Sequence, residues 1–96
     1  MGLGFEWDPT KASSNLRKHR VSFEEAATVF EDVLSITVPD PDHSVSEERY
    51  ITVGMSSRQR LLLVAHTERG TWIRIISARE LTSREKRAYE QGDYRG

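Results

Sequence analysis

The 96-residue chain has no cysteine, so it holds no disulfide framework and no thiolate metal site. It has no apolar run near the roughly 20 residues that a bilayer-crossing helix requires. Its start, Met1-Gly2-Leu3-Gly4-Phe5-Glu6, lacks a signal-peptide pattern, and an acid at position 6 does not suit myristoylation; the expectation is a cytoplasmic protein. No repeat, low-complexity tract or linker divides the chain, and its length suits one small domain over 1–96, ordered from about 4 to 90. A glycine-rich phosphate loop and a G-x-S-x-G serine elbow are missing too. His19, His43 and His66 are too far apart to form a close-spaced ligand motif. These absences point away from nucleophilic and metal-dependent chemistry; no cofactor and no metal are expected.

What the chain does have is charge, unevenly placed. Residues 1–48 carry four Lys/Arg and ten Asp/Glu, a net −6; residues 49–96 carry ten Lys/Arg and five Asp/Glu, a net +5. An arginine-rich half can meet nucleic acid or an acidic protein face, or simply pair with the acidic half. Arg74 stands among Ile73, Ile75 and Ile76 in an apolar stretch rich in β-branched residues. A long cation there must reach water, an acid or an anionic ligand.

The local signals give an order of elements. A short apolar segment, Leu3 to Trp7, precedes Asp8-Pro9, a cap followed by a proline at the first helical position. The helix that follows, roughly 9–19, has Ala12 and Leu16 as its expected buried points and leaves Lys11, Asn15, Lys18 and His19 for other work. Ser22-Phe23-Glu24-Glu25 reads as a capping box, with Val21 and Ala26 as a staple, and Phe23, Ala26, Ala27 and Phe30 form one apolar face. Strands are expected over Leu34–Val38 and about 48–55, 60–68 and 71–78, with Pro39 to Ser44 as a rigid polar loop. Thr82-Ser83-Arg84-Glu85 is a second capping box, opening a helix to about Glu90 before a mobile tail. Short links between strands imply an antiparallel meander, so the fold class is α+β: a small antiparallel sheet packed by helices.

Lys18, His19, Arg49, His66, Arg74 and Arg79 together make a kit for RNA cleavage without a metal. The reaction needs a base for the 2′-hydroxyl proton, an acid for the leaving oxygen and cations for the charge on phosphorus. Imidazole suits the proton work and guanidinium the phosphate. Each residue also has a structural alternative. His66 alternates with Leu62 and Val64 and can be a core histidine. Arg49, Arg74 and Arg79 can pair with acids, and Lys18 and His19 complement a helix C-terminus. Trp7 and Trp72 can stack on bases or fill the core.

The series Phe5-Glu6-Trp7-Asp8, Asn15-Leu16-Arg17-Lys18-His19, Val64-Ala65-His66-Thr67-Glu68 and Arg74-Ile75-Ile76-Ser77-Ala78-Arg79, with Asp42-His43-Ser44 and Glu47-Glu48-Arg49-Tyr50 between, closely resembles the BrnT family of bacterial type II toxins over about residues 5–90. The resemblance implies a RelE/ParE-like toxin fold and a ribonuclease that shuts down translation. It further implies neutralisation by a BrnA-type antitoxin with a ribbon-helix-helix part, operator DNA being met only through the toxin–antitoxin complex. Lys18, His19, Arg49, His66, Arg74 and Arg79 sit at matching positions, with Trp7 and Glu6 near the first strand. Arg20 departs from the pattern, standing where a glycine commonly follows the Lys-His pair; glycine would suit a left-handed helix end. The alternative function is a non-catalytic module that binds the antitoxin in a repressor complex.

Overall fold

The computed structural model describes residues 4–40 and 48–92. Pro41 to Glu47, which include His43 of the expected loop, and the tail from Asp93 lie outside the described residues.

Among the described residues, three α-helices form where the sequence supplies caps. Helix α1 spans Pro9–His19; the Asp8 carboxylate accepts from the Thr10 N–H at 2.8 Å. It ends because Arg20 turns into the left-handed region, φ 58°, while its N–H still reaches the Leu16 carbonyl. Arginine thus takes the conformation that glycine adopts more easily. Helix α2 is short, Phe23–Thr28, and tightens into a 3-10 turn over Val29–Glu31. Its capping box is half formed: the Ser22 hydroxyl accepts from the Glu25 N–H at 3.0 Å, but the Glu25 carboxylate turns away to Ser56 and Arg60. Helix α3, Ser83–Glu90, has the complete reciprocal box between Thr82 and Glu85.

The strands are β1 (Gly4–Glu6), β2 (Ile36–Pro39), β3 (Tyr50–Met55), β4 (Leu61–Arg69) and β5 (Trp72–Glu80), in the sheet order β1-β5-β4-β3-β2. The last four form the expected antiparallel meander, but β1 pairs with β5 in parallel, Gly4 beside Trp72 and Glu6 beside Arg74. The sheet is therefore mixed. A parallel neighbour requires a crossover, and α1 and α2 supply it. At the start of β1 the Trp72 ring lies so close over Gly4 that a Cβ there would come within 2.7 Å of it.

The larger core lies between α1, α2 and one face of the sheet: Val21, Phe23, Ala26 and Val29 against Leu62, Val64, Ile73, Ile75 and Ala78. Trp7 packs against it, edge-on to Phe23 at 5.9 Å, while Trp72 remains half exposed. A smaller cluster on the other face gathers Val53, Leu63 and Leu81 under Tyr89 of α3. One helix assignment reverses. Leu16 is 49% exposed and the buried residue of α1 is Asn15. Among the described residues, no helix is long and apolar enough to cross a membrane.

Candidate active site on the edge strand

β5 is an edge strand for most of its length, because β1 accompanies only Trp72 to Arg74. α1 covers the rest, and one side chain stands in for the missing neighbour. Asn15 Oδ1 accepts from the Ala78 N–H at 3.0 Å, and Nδ2 donates to the Ala78 carbonyl at 2.8 Å and to the Val21 carbonyl at 2.9 Å. A buried strand edge demands such partners. This ties the cationic end of α1 to β5. Lys11, Ser14, Asn15, Lys18, His19, Ile76 and Ser77 line a cavity of about 180 Å³.

A register shift decides which way the β5 side chains face. Ile75 lies opposite His66, but Ala78, three residues on, lies opposite Val64. One extra residue, Ile76, therefore bulges out of β5 and inverts the alternation beyond it. Strict alternation would put Arg74 with Ala78. Instead Ala78 joins Ile73 and Ile75 in the core, and Arg74, Ser77 and Arg79 share the opposite face. Continuing the β3–β4 register by one residue sets Arg49 beside Thr67, whose other neighbour is Arg74.

The arginines have acidic company. Arg74 Nη1 lies 3.4 Å from the Glu6 carboxylate. Arg79 makes a two-pronged contact with Glu85, 2.8 and 3.0 Å, and its hydrogen bonds hold the Glu85 carboxyl down to about 2 against partial burial. Arg60, which the sequence did not single out, is the structural cation. It grips the buried Glu25 carboxylate, reaches Glu80 at 3.1 Å and donates to the Arg20 carbonyl at 3.0 Å, holding the left-handed turn in place. Those hydrogen bonds keep the Glu25 carboxyl below its ordinary range despite burial.

His66 is separated from this surface. It lies on the core face, fully buried, under the rings of Phe30 at 4.9 Å and Tyr50 at 5.9 Å. Its Nε2 shares a 2.8 Å hydrogen bond with Thr52 Oγ1, which in turn meets Thr37 Oγ1 at 2.7 Å. Desolvation pushes its pKa down to about 4, an interaction with the Thr67 backbone opposing the shift in part. Of the two histidines suited to proton transfer, His19 is exposed beside the cations and His66 is a neutral core group.

Of the six sequence candidates, the fold brings Lys18 and His19 into one cavity, sets Arg74 and Arg79 on the sheet face opposite the core, leaves Arg49 just ahead of β3 and buries His66 in the core. Lys11 and Asn15 were visible as helix-face neighbours of Lys18, at spacings of seven and three; Ser77 gave no signal of its own. Among the described residues no three His, Asp or Glu side chains converge as a metal-ligand set.

The BrnT family profile, described as the ribonuclease toxin of a type II toxin–antitoxin system, matches residues 7–85. The chain belongs to the BrnT family. The crystal structure of the Brucella abortus ribonuclease toxin BrnT shares its fold: TM-score 0.62 at 18% identity, covering 84% of this chain and 99% of that one. Comparison with curated proteins gave no match. The BrnT profile takes in Trp7, the α1 cations, the whole sheet beyond β1, and Glu85.

Proposed function

We propose that this chain is an endoribonuclease toxin that cleaves RNA without a metal ion and so inhibits translation in the cytoplasm. The observation that carries the mechanism is the cavity lined by Lys11, Lys18, His19 and Ser77 where α1 meets the edge of β5. The 2′-oxygen forms a bond to phosphorus and the bond from phosphorus to the 5′-oxygen breaks, leaving a 2′,3′-cyclic phosphate and a 5′-hydroxyl. His19 moves the proton. Lys11 and Lys18 balance charge on the phosphoryl oxygens, and Arg49, Arg74 and Arg79 hold flanking phosphates along the strand. Phosphate competes with Glu6 for Arg74, whose 3.4 Å contact is long for a charge-assisted hydrogen bond. His66 serves as a positioning group through Thr52. The small sheet packed by helices supports a RelE/ParE-like grouping, and a BrnA-type ribbon-helix-helix antitoxin is the partner that neutralises the toxin and carries the complex to operator DNA.

The test is cleavage of RNA by the purified protein in excess chelator. Cleavage with cyclic-phosphate ends supports the reading, and loss of all activity on chelation sinks it. The carboxylates on Arg74 and Arg79 favour a second reading, a non-catalytic module whose arginines face an acidic antitoxin surface. Expression without the antitoxin separates the two: RNA decay with growth arrest marks the enzyme, healthy cells mark the module.

A further inference from the structure

The two edges of the sheet are treated differently. On one, β1 accompanies β5 over Trp72 to Arg74 and Asn15 satisfies its backbone at Ala78. On the other, β2 pairs with β3 alone among the described residues. The hydrogen-bond phase along β2 follows from its end. The Asp40 N–H donates to the Arg49 carbonyl at 2.9 Å, so that position is a bonded pair. Antiparallel pairs alternate, which makes Val38–Ile51 and Ile36–Val53 bonded and leaves Thr37 and Pro39 facing away from β3. The outward groups are thus the Thr37 N–H, the Thr37 carbonyl and the Pro39 carbonyl. Pro39 has no N–H to offer, a common restraint on an open edge.

Beside this edge the chain displays apolar surface. Val33 is 95% exposed and Leu34 74% exposed, with Met55 at 41%. The turn that presents them is rigid. The Asp32 carboxylate accepts from the Leu34 N–H at 3.0 Å and the Met55 N–H at 2.8 Å; the Asp32 carbonyl accepts from the Ser35 N–H; the Tyr89 hydroxyl donates to the Leu34 carbonyl. A turn so fully bonded, with two aliphatic side chains turned to water, is pre-organised for contact. The described residues of this stretch, 21–40 and 48, contain no Lys or Arg, and Glu24, Glu31 and Glu48 are its exposed carboxylates.

We propose that β2 is the docking edge for the antitoxin, which adds an extended segment as a sixth strand. Its backbone exchanges two hydrogen bonds with Thr37 and donates one to the Pro39 carbonyl; an apolar side chain covers Val33 and Leu34, and flanking Lys or Arg residues meet the exposed carboxylates. This rests on the toxin–antitoxin reading and adds the surface to it.

The experiment uses the full chain and the antitoxin encoded beside it, following single-amide hydrogen exchange and affinity. In the free protein the Thr37 amide exchanges fast; in the complex it becomes protected. Val33→Ser with Leu34→Ser, changes at exposed sites that leave the fold intact, weaken binding at least about tenfold. Thr37→Pro deletes the outward donor without touching the β3 ladder and weakens binding comparably, whereas Thr37→Val, which loses only the hydroxyl, stays within about threefold of wild type. An antitoxin that binds tightly while Thr37 remains unprotected, or the serine pair binding like wild type, overturns the docking edge alone. An antitoxin that does not bind the wild-type chain overturns the partner reading as well.

Discussion

The Asn15 side chain and the Ala78 backbone form a closed pair of hydrogen bonds, 3.0 Å into Oδ1 and 2.8 Å out of Nδ2, the pattern one strand offers another. A helix thereby completes a sheet edge, and the same contact fixes where the α1 cations stand relative to β5. Two further side chains constrain the region: Arg60 holds the Arg20 carbonyl, and Glu85 holds Arg79.

Replacing Asn15 with alanine strands the Ala78 N–H and both carbonyls in a buried setting. The expected loss is about 3 kcal/mol, combining three missing bonds with desolvated groups left unpaired. Urea unfolding of Asn15→Ala against wild type measures it. Asn15→Asp, which keeps one acceptor but offers no donor, falls at least as far.

His66 makes stability depend on pH in the direction opposite to an ion-paired histidine. Its folded pKa is pushed down to about 4 from 6.5, so the unfolded chain takes the proton first. Its contribution is complete above pH 6.5 and is lost as pH falls from 6.5 toward 4, by about 3 kcal/mol in all. Unfolding free energies across that window show the fall in wild type, and His66→Gln removes this component of it.

Arg20→Gly relieves the left-handed strain at φ 58°. The gain is about 1 kcal/mol after the extra freedom of glycine in the unfolded chain is counted. A raised denaturation midpoint with unchanged slope confirms it, because the Arg60 bond goes to the backbone carbonyl and survives the substitution.

The two histidines separate in kinetics. His19→Ala lowers the cleavage rate by about a hundredfold or more, as loss of a proton-transfer group does, with stability nearly unchanged. His66→Gln changes the rate by less than about tenfold when assayed well below its unfolding midpoint. Lys18→Ala raises KM and lowers kcat together if the cation meets phosphate both before and during the reaction. Single-turnover cleavage of a labelled RNA reads all three.

Much of the fold was legible because capping is local chemistry. Asp8-Pro9, Ser22 and Thr82-Glu85 announced three helix starts within a residue, and the β-branched runs announced the four-strand meander. Lys18 and His19 were legible as candidates from their residue types and their place in the Asn15-to-His19 series. Asn15 was not legible as a buried residue, since its amide is satisfied by a strand 63 positions away. Leu16 misled for the same reason, because apolar character alone does not say which side of a helix the sheet will take.

The sequence by itself determined the order and type of the elements, the cationic end of α1 and membership of the BrnT family, all of which reside in short-range patterns or in the series of motifs. Tertiary structure decided the rest. The parallel β1 needs a distant strand to pair with, and the burial of His66 needs Phe30 and Tyr50 folded over it. One bulged residue, Ile76, places Arg74 and Arg79 on the same face. A strand alternates with period two only while its register is unbroken, and a register exists only once two strands have met.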